Sequence, residues 1–135
     1  MKSSMRIRRK SAVPKPPVLI YLSHAFGGKK ENVDHVAKQI QALYRDHICS
    51  TAIRYHNVVF VSPIHALGFI YDLVPYDQGL DNCIELLKHC QLMITFRGYD
   101  ESVGVKAEKA YCQAHGIPVI DYDEFRFNLR RGSIL

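Results

Sequence analysis

The sequence contains no apolar run approaching the roughly 20 residues that a membrane-crossing helix needs, so no transmembrane segment is expected. Its basic N-terminus is not followed by the apolar stretch of a signal peptide, and the expected location is the cytoplasm. None of the four cysteines (Cys49, Cys83, Cys90 and Cys112) forms a CxxC pair, which argues against a zinc ribbon or a dithiol redox centre. They read as reduced, buried thiols, and the spacing of seven between Cys83 and Cys90 suggests two core positions on one helix face. No metal-ligand spacing is present, and there is neither an internal repeat nor a low-complexity tract.

Negative charge is missing where it would matter most for the overall balance. Lys2, Arg6, Arg8, Arg9, Lys10 and Lys15 precede residue 16 with no acid among them. The rest of the chain holds twelve Lys and Arg against thirteen Asp and Glu, so the net charge of +5 belongs to the tail and the folded part is nearly neutral. Such a tail touches phosphates without reading sequence, and no specific nucleic-acid partner is expected. Val13-Pro14-Lys15-Pro16-Pro17 cannot form helix or inner strand, so residues 1–17 read as a flexible, basic, proline-rich leader and 18–135 as one domain. The composition, 47% hydrophobic and 23% charged, is that of an ordinary globular chain able to bury a substantial core.

Val18-Leu19-Ile20-Tyr21-Leu22 is a short, partly β-branched apolar run and predicts a buried strand. Helical spacing follows at Val33, Val36, Ala37, Ile40, Leu43 and Tyr44. Val58–Val61 predicts a second strand, and residues 64–78 a long aromatic-rich connection with room for a short helix. Leu80, Ile84 and Leu87, running on to His89 and Cys90, suggest another helix, and Leu92–Phe96 a third strand. A helix over residues 103–115 carries an Ala107, Ala110, Tyr111 and Ala114 stripe and ends at Gly116. Ile117–Ile120 gives a fourth strand, and Phe125–Leu129 a final helical turn. This order predicts an α/β fold: a single-domain parallel sheet of about four to five strands flanked by helices, Rossmann-like in type.

In open parallel sheets, ligands bind outside the carboxyl ends of the strands, which selects residues 23–30, 62–78 and 97–102. In the first segment, Ser23 and His24 lead into Gly27-Gly28, a turn that lets backbone approach a ligand, with Lys29 and Lys30 as nearby charge. Neither a Walker A loop nor GxGxxG is present. The second offers His65 and Asp77 among its aromatics. In the third, Ser102 or Asp100 is placed to cap a helix that opens Val103-Gly104. Glu108 then falls at the edge of the alanine stripe, where the helix N-terminus behind it favours the ionised form.

Tyr21 near the end of the first strand, the Gly-Gly turn, and Ser102-x-Gly104-Val105-x-x-Glu108 together resemble the nucleoside 2-deoxyribosyltransferase superfamily. The Ser-x-Gly-x-x-x-Glu form is most similar to its deoxynucleoside 5′-monophosphate N-hydrolases. Ile20–His24, with Ser62–His65 and Gly79-Leu80, also resembles a little-described bacterial and phage branch. The likeness spans about residues 18–121.

The resemblance implies a deoxyribosyltransferase-type fold and cleavage of a base–sugar bond, without cofactor or metal, in a homo-oligomer whose sites borrow residues between subunits. It implies Glu108 as the nucleophile toward the anomeric carbon, Asp81 as the acid assisting base departure, Tyr21 as the hydroxyl that orients Glu108, and Ser102 as a partner of a 5′-phosphate. Glycosidic cleavage through an oxocarbenium-like state suits such a carboxylate. Asp77 rivals Asp81, and spacing does not choose between them. Two departures stand out: the first loop has no arginine for a phosphate, leaving His24, Lys29 or Lys30 to replace it, and Gln91 stands where relatives carry an aspartate. The expected substrate is a nucleoside or nucleotide, the alternatives being base exchange or a binding module that has lost turnover.

Overall fold

The computed structural model describes residues 15–135, so most of the expected leader, residues 1–14, lies outside the described residues. The elements in chain order are β1 (Val18–Leu22), α1 (Lys30–Arg45), α2 (His47–Tyr55), β2 (Val58–Val61) and the short α3 (Pro63–Ala66). A 3₁₀ segment (Gly68–Leu73) leads to α4 (Tyr76–Leu87), β3 (Leu92–Thr95), α5 (Val103–His115), β4 (Val119–Asp121) and α6 (Tyr122–Arg130). The four strands are parallel in the order β2-β1-β3-β4. The chain thus steps outward from β1 to β2, then returns across to β3, which makes the crevice between β1 and β3 the switch point where ligands settle.

Strand parity decides which helix layer each side chain meets, because successive residues point to opposite faces. Ile20, Leu22, Leu92, Ile94 and Phe96 pack with Val36 and Leu43 of α1, Ile53 of α2, and Phe125 and Leu129 of α6. Tyr21 and Met93 face the other way, toward Leu87 of α4, Cys90, and Cys112 of α5. The sheet is therefore covered on both faces, as buried parallel strands require.

Several expectations shift. The helix α2 was not legible in its run of weak helix formers. It is fixed by the Asp46 carboxylate, which accepts from the Ile48 and Cys49 N–H groups and pairs with Arg126 and Arg130 of α6. The expected last turn is the nine-residue helix α6. Cys90 lies beyond the end of α4 and so is not on one helix face with Cys83, although both join the same core. All four cysteines are free thiols. Gln91 works at the far end of the sheet from the strand-end loops, its Oε1 accepting from the Leu19 N–H at 2.7 Å. No helix among the described residues is long and apolar enough to cross a membrane.

Candidate active site

Tyr21 and Ser23 have the same parity on β1 and its extension, so both reach toward α5. Backbone pairing continues past the strand, with the Ser23 N–H donating to the Ile94 carbonyl at 2.9 Å, and this holds Ser23 in register. From α5 the side chain of Glu108 comes down to meet them. The Tyr21 hydroxyl donates to Glu108 Oε2 at 2.5 Å and the Ser23 hydroxyl to Oε1 at 2.6 Å. The carboxylate, only 5% exposed, is gripped by one donor on each oxygen. Each oxygen keeps a second lone pair.

This arrangement corrects the expected face of α5. Its buried residues are Val105, Glu108 and Cys112, whereas Ala110 and Ala114 are exposed. The glutamate stands inside the sheet-facing stripe rather than at its edge, because the helix rests on Met93 through Cys112, the two sulfurs 3.7 Å apart. The electrostatic expectation is also reversed. Burial raises the Glu108 pKa above its ordinary value, and the Ser23 and Tyr21 hydroxyls only partly pull it back. Burial and the neighbouring glutamate likewise push Tyr21 upward, so it stays a proton donor. They also push the Cys83 and Cys112 thiols up to about 11.

Glu108 opens onto a cavity of about 570 Å³ walled by the three strand-end loops and by α4. His24, Phe26 and Gly27 contribute from the first loop, Tyr71, Asp72 and Tyr76 from the middle connection, and Asn82 and Cys83 from α4. Ser102 and Gly104 contribute from the start of α5. Ser102, rather than Asp100, caps α5: its Oγ accepts from the Val105 N–H at 3.2 Å, which leaves the hydroxyl hydrogen free to donate. A Cβ on Gly104 would stand 3.2 Å from the Tyr76 hydroxyl, so a side chain there would require Tyr76 to shift. Gly28 acts behind the wall. At φ +73° it adopts the left-handed turn, and a Cβ would come within 3.2 Å of the Tyr71 ring, which itself packs edge-on against Phe26 at 4.7 Å.

Three expected residues are placed elsewhere. Asp81 and Asp77 are exposed on α4 and outside the cavity wall, since that helix turns Gly79, Leu80, Asn82 and Cys83 inward instead. His65 is exposed, outside the wall and hydrogen-bonded to the Ser62 hydroxyl at 2.6 Å. Lys30 is tied to Asp34 at 2.8 Å, so Lys29 is the one lysine or arginine in the wall among the described residues. Asp72, Asn82 and Cys83 were not singled out for the site from sequence. Asp72 lies in an aperiodic stretch, and Cys83 is indistinguishable from a core cysteine.

No protein-family model and no curated protein sequence matches the chain significantly. Among solved structures, it is similar to a 2-deoxyribosyltransferase from the psychrotolerant bacterium Bacillus psychrosaccharolyticus, described as a biocatalyst for nucleoside synthesis. The TM-score is 0.54 at 18% identity, over 77% of this chain and 71% of that one. The chain therefore has the fold of a 2-deoxyribosyltransferase, a single α/β domain built on a four-stranded parallel sheet.

Proposed function

We propose that this protein is an N-glycosidase that cleaves the base–sugar bond of a nucleoside or nucleoside 5′-monophosphate through a glycosyl-enzyme on Glu108. The observation that carries the proposal is the Tyr21–Glu108–Ser23 grip at the floor of the cavity. Its setting, in a fold shared with an enzyme of nucleoside chemistry, supports it. A Glu108 oxygen attacks C1′ while the bond to the base nitrogen breaks and its electron pair leaves with the base, which takes up a proton. Water then attacks C1′, displacing the carboxylate and releasing the sugar, and gives up a proton that replaces the one taken by the base. Two fixed donors hold the carboxylate at one angle, so little reorganisation is needed when it attacks.

Tyr71 and Tyr76 are the aromatic faces we assign to the base, and Asp72, as a wall carboxylate, is assigned to its departure in preference to Asp81 or Asp77. The free Ser102 hydroxyl hydrogen and the Lys29 ammonium are the partners we assign to a 5′-phosphate. A homo-oligomer is part of the same proposal, because Phe69, Leu73, Tyr76 and Val103 are large, exposed apolar side chains on the segments that form the wall.

The test is release of free base from a panel of nucleosides and nucleotides, with rapid-quench intact mass spectrometry. Wild type should release base and carry a sugar-sized adduct that is absent in Glu108→Ala. Equal background release by both proteins across the panel would overturn the proposal. Base exchange is the second reading, favoured by the transferase activity of the structural neighbour. It predicts that an added second base becomes a new nucleoside instead of leaving free sugar.

A further inference from the structure

Just past the end of β1, a second polar assembly is built around His24, which borders the cavity but also packs on α1. Its even parity turns this side chain toward α1, where it is only 6% exposed. His24 Nδ1 lies 2.7 Å from the Ala25 carbonyl oxygen, its Nε2 2.9 Å from His35 Nδ1, and His35 Nε2 3.1 Å from Gln39 Nε2. The two imidazoles share a ring cluster with residues from the end of β3. Tyr99 stacks on His24 at 4.2 Å and lies 4.6 Å from His35, and Phe96 stands 5.2 Å from His24.

The chemistry of the partners fixes the direction of every bond. A carbonyl oxygen only accepts, so His24 Nδ1 carries the hydrogen, and its Nε2 in the neutral ring accepts. His35 must then donate from Nδ1, which leaves its Nε2 to accept from the Gln39 amide N–H. One arrangement of protons satisfies all three contacts with both rings neutral.

We propose that Gln39 and His35 are positioning residues that lock His24 in its Nδ1–H tautomer, and that this chain holds Ser23 and the loop carrying Ser102 in place for Glu108. The mechanical link is short. His24 directly follows Ser23, and the His24–Tyr99 stack joins the first strand-end loop to the segment between β3 and α5. A proton arriving on His24 Nε2 would oppose the His35 N–H, so the chain must reverse, with His35 switching to Nε2–H and Gln39 turning its amide oxygen inward. One proton added to His24 therefore reorders every bond of the chain. Burial pushes the His24 pKa down, the Ala25 carbonyl opposes this and His35 adds to it, and no carboxylate is among the groups acting on it. The titratable groups facing His24 are His35 from α1 and Tyr99 from the β3 end.

The role in turnover rests on the glycosidase reading, but the proton arrangement does not. It is tested by long-range ¹H–¹⁵N spectra of the imidazoles in wild type and Gln39→Glu. At neutral pH, wild type should show His24 and His35 both neutral and both Nδ1-protonated. In Gln39→Glu the new carboxylate accepts only, which reverses the chain, favours the protonated His24 ring and raises the His24 midpoint by about one pH unit or more. The acid limb of base release should move up by the same amount, with Gln39→Ala showing no upward shift. Nε2-protonated rings in wild type, or an unmoved midpoint in Gln39→Glu, would overturn the proposal whether or not base is released. A shifted midpoint with an unmoved acid limb would overturn the positioning role alone. Absence of base release from wild type would count against the glycosidase reading and leave the spectra to decide the proton arrangement.

Discussion

At the residue scale, Glu108 is held at a cost to stability. The folded protein keeps its carboxyl proton above the ordinary value of 4.5, so folding stability falls as pH rises from there through the raised pKa and stays lower beyond it. Glu108→Gln removes that penalty. It should raise the melting temperature at pH 7 by a few degrees while abolishing turnover, with an advantage that is full above the raised pKa and vanishes below 4.5. Thermal melts across pH check this, and an advantage independent of pH would contradict it. Tyr21→Phe keeps the ring in the core and removes one donor from the carboxylate. A hydrogen bond to a charged group is worth about 1.5–3 kcal/mol, so kcat should fall roughly ten- to hundredfold. The acid limb of the pH profile should also move upward, because the lost donor was lowering the glutamate pKa.

At the scale of elements, the first turn of α5 serves structure and site together. Ser102 caps it, Gly104 lets Tyr76 approach, and Glu108 follows on the inner face. Gly104→Ala places a methyl group against the mobile end of Tyr76 and not against backbone. Tyr76 can yield, and the melting temperature should stay within a few degrees because helix propensity favours alanine. The displaced hydroxyl crowds the cavity mouth, so KM should rise severalfold with kcat little changed. Steady-state kinetics separates this from a folding defect, which would lower the active fraction without altering KM.

At the scale of the whole molecule, the strand order puts β1 beside β3 and lets three loops and α4 enclose one cavity. Phe69 and Leu73, 82% and 77% exposed, stand on the 3₁₀ segment that supplies part of its wall. If subunits meet there, Phe69→Glu with Leu73→Glu should reduce the mass seen by light scattering to that of one chain and raise KM, while circular dichroism stays unchanged. Wild type already running as a monomer would remove the oligomer from the proposal.

Local pattern determined four strands, the last displaced from the expected Ile117–Ile120 to Val119–Asp121, together with the extent of α5 and its end at Gly116. Hydrophobic period and helix punctuation are properties of neighbours in sequence, whereas Tyr21 was singled out by the resemblance to a known family. Only tertiary structure decided which face of α5 turns inward, since the alanine stripe and the Val105–Glu108–Cys112 stripe lie roughly 140° apart around the helix and the contact with Met93 selects the second. Tertiary structure alone also paired Ser23 with Glu108, 85 residues apart, and His24 with His35. It turned Asp77, Asp81 and His65 out of the wall while admitting Asp72, Asn82 and Cys83. A side chain's direction out of a loop or an aperiodic segment is set by what packs against it, and that information lies in distant parts of the chain.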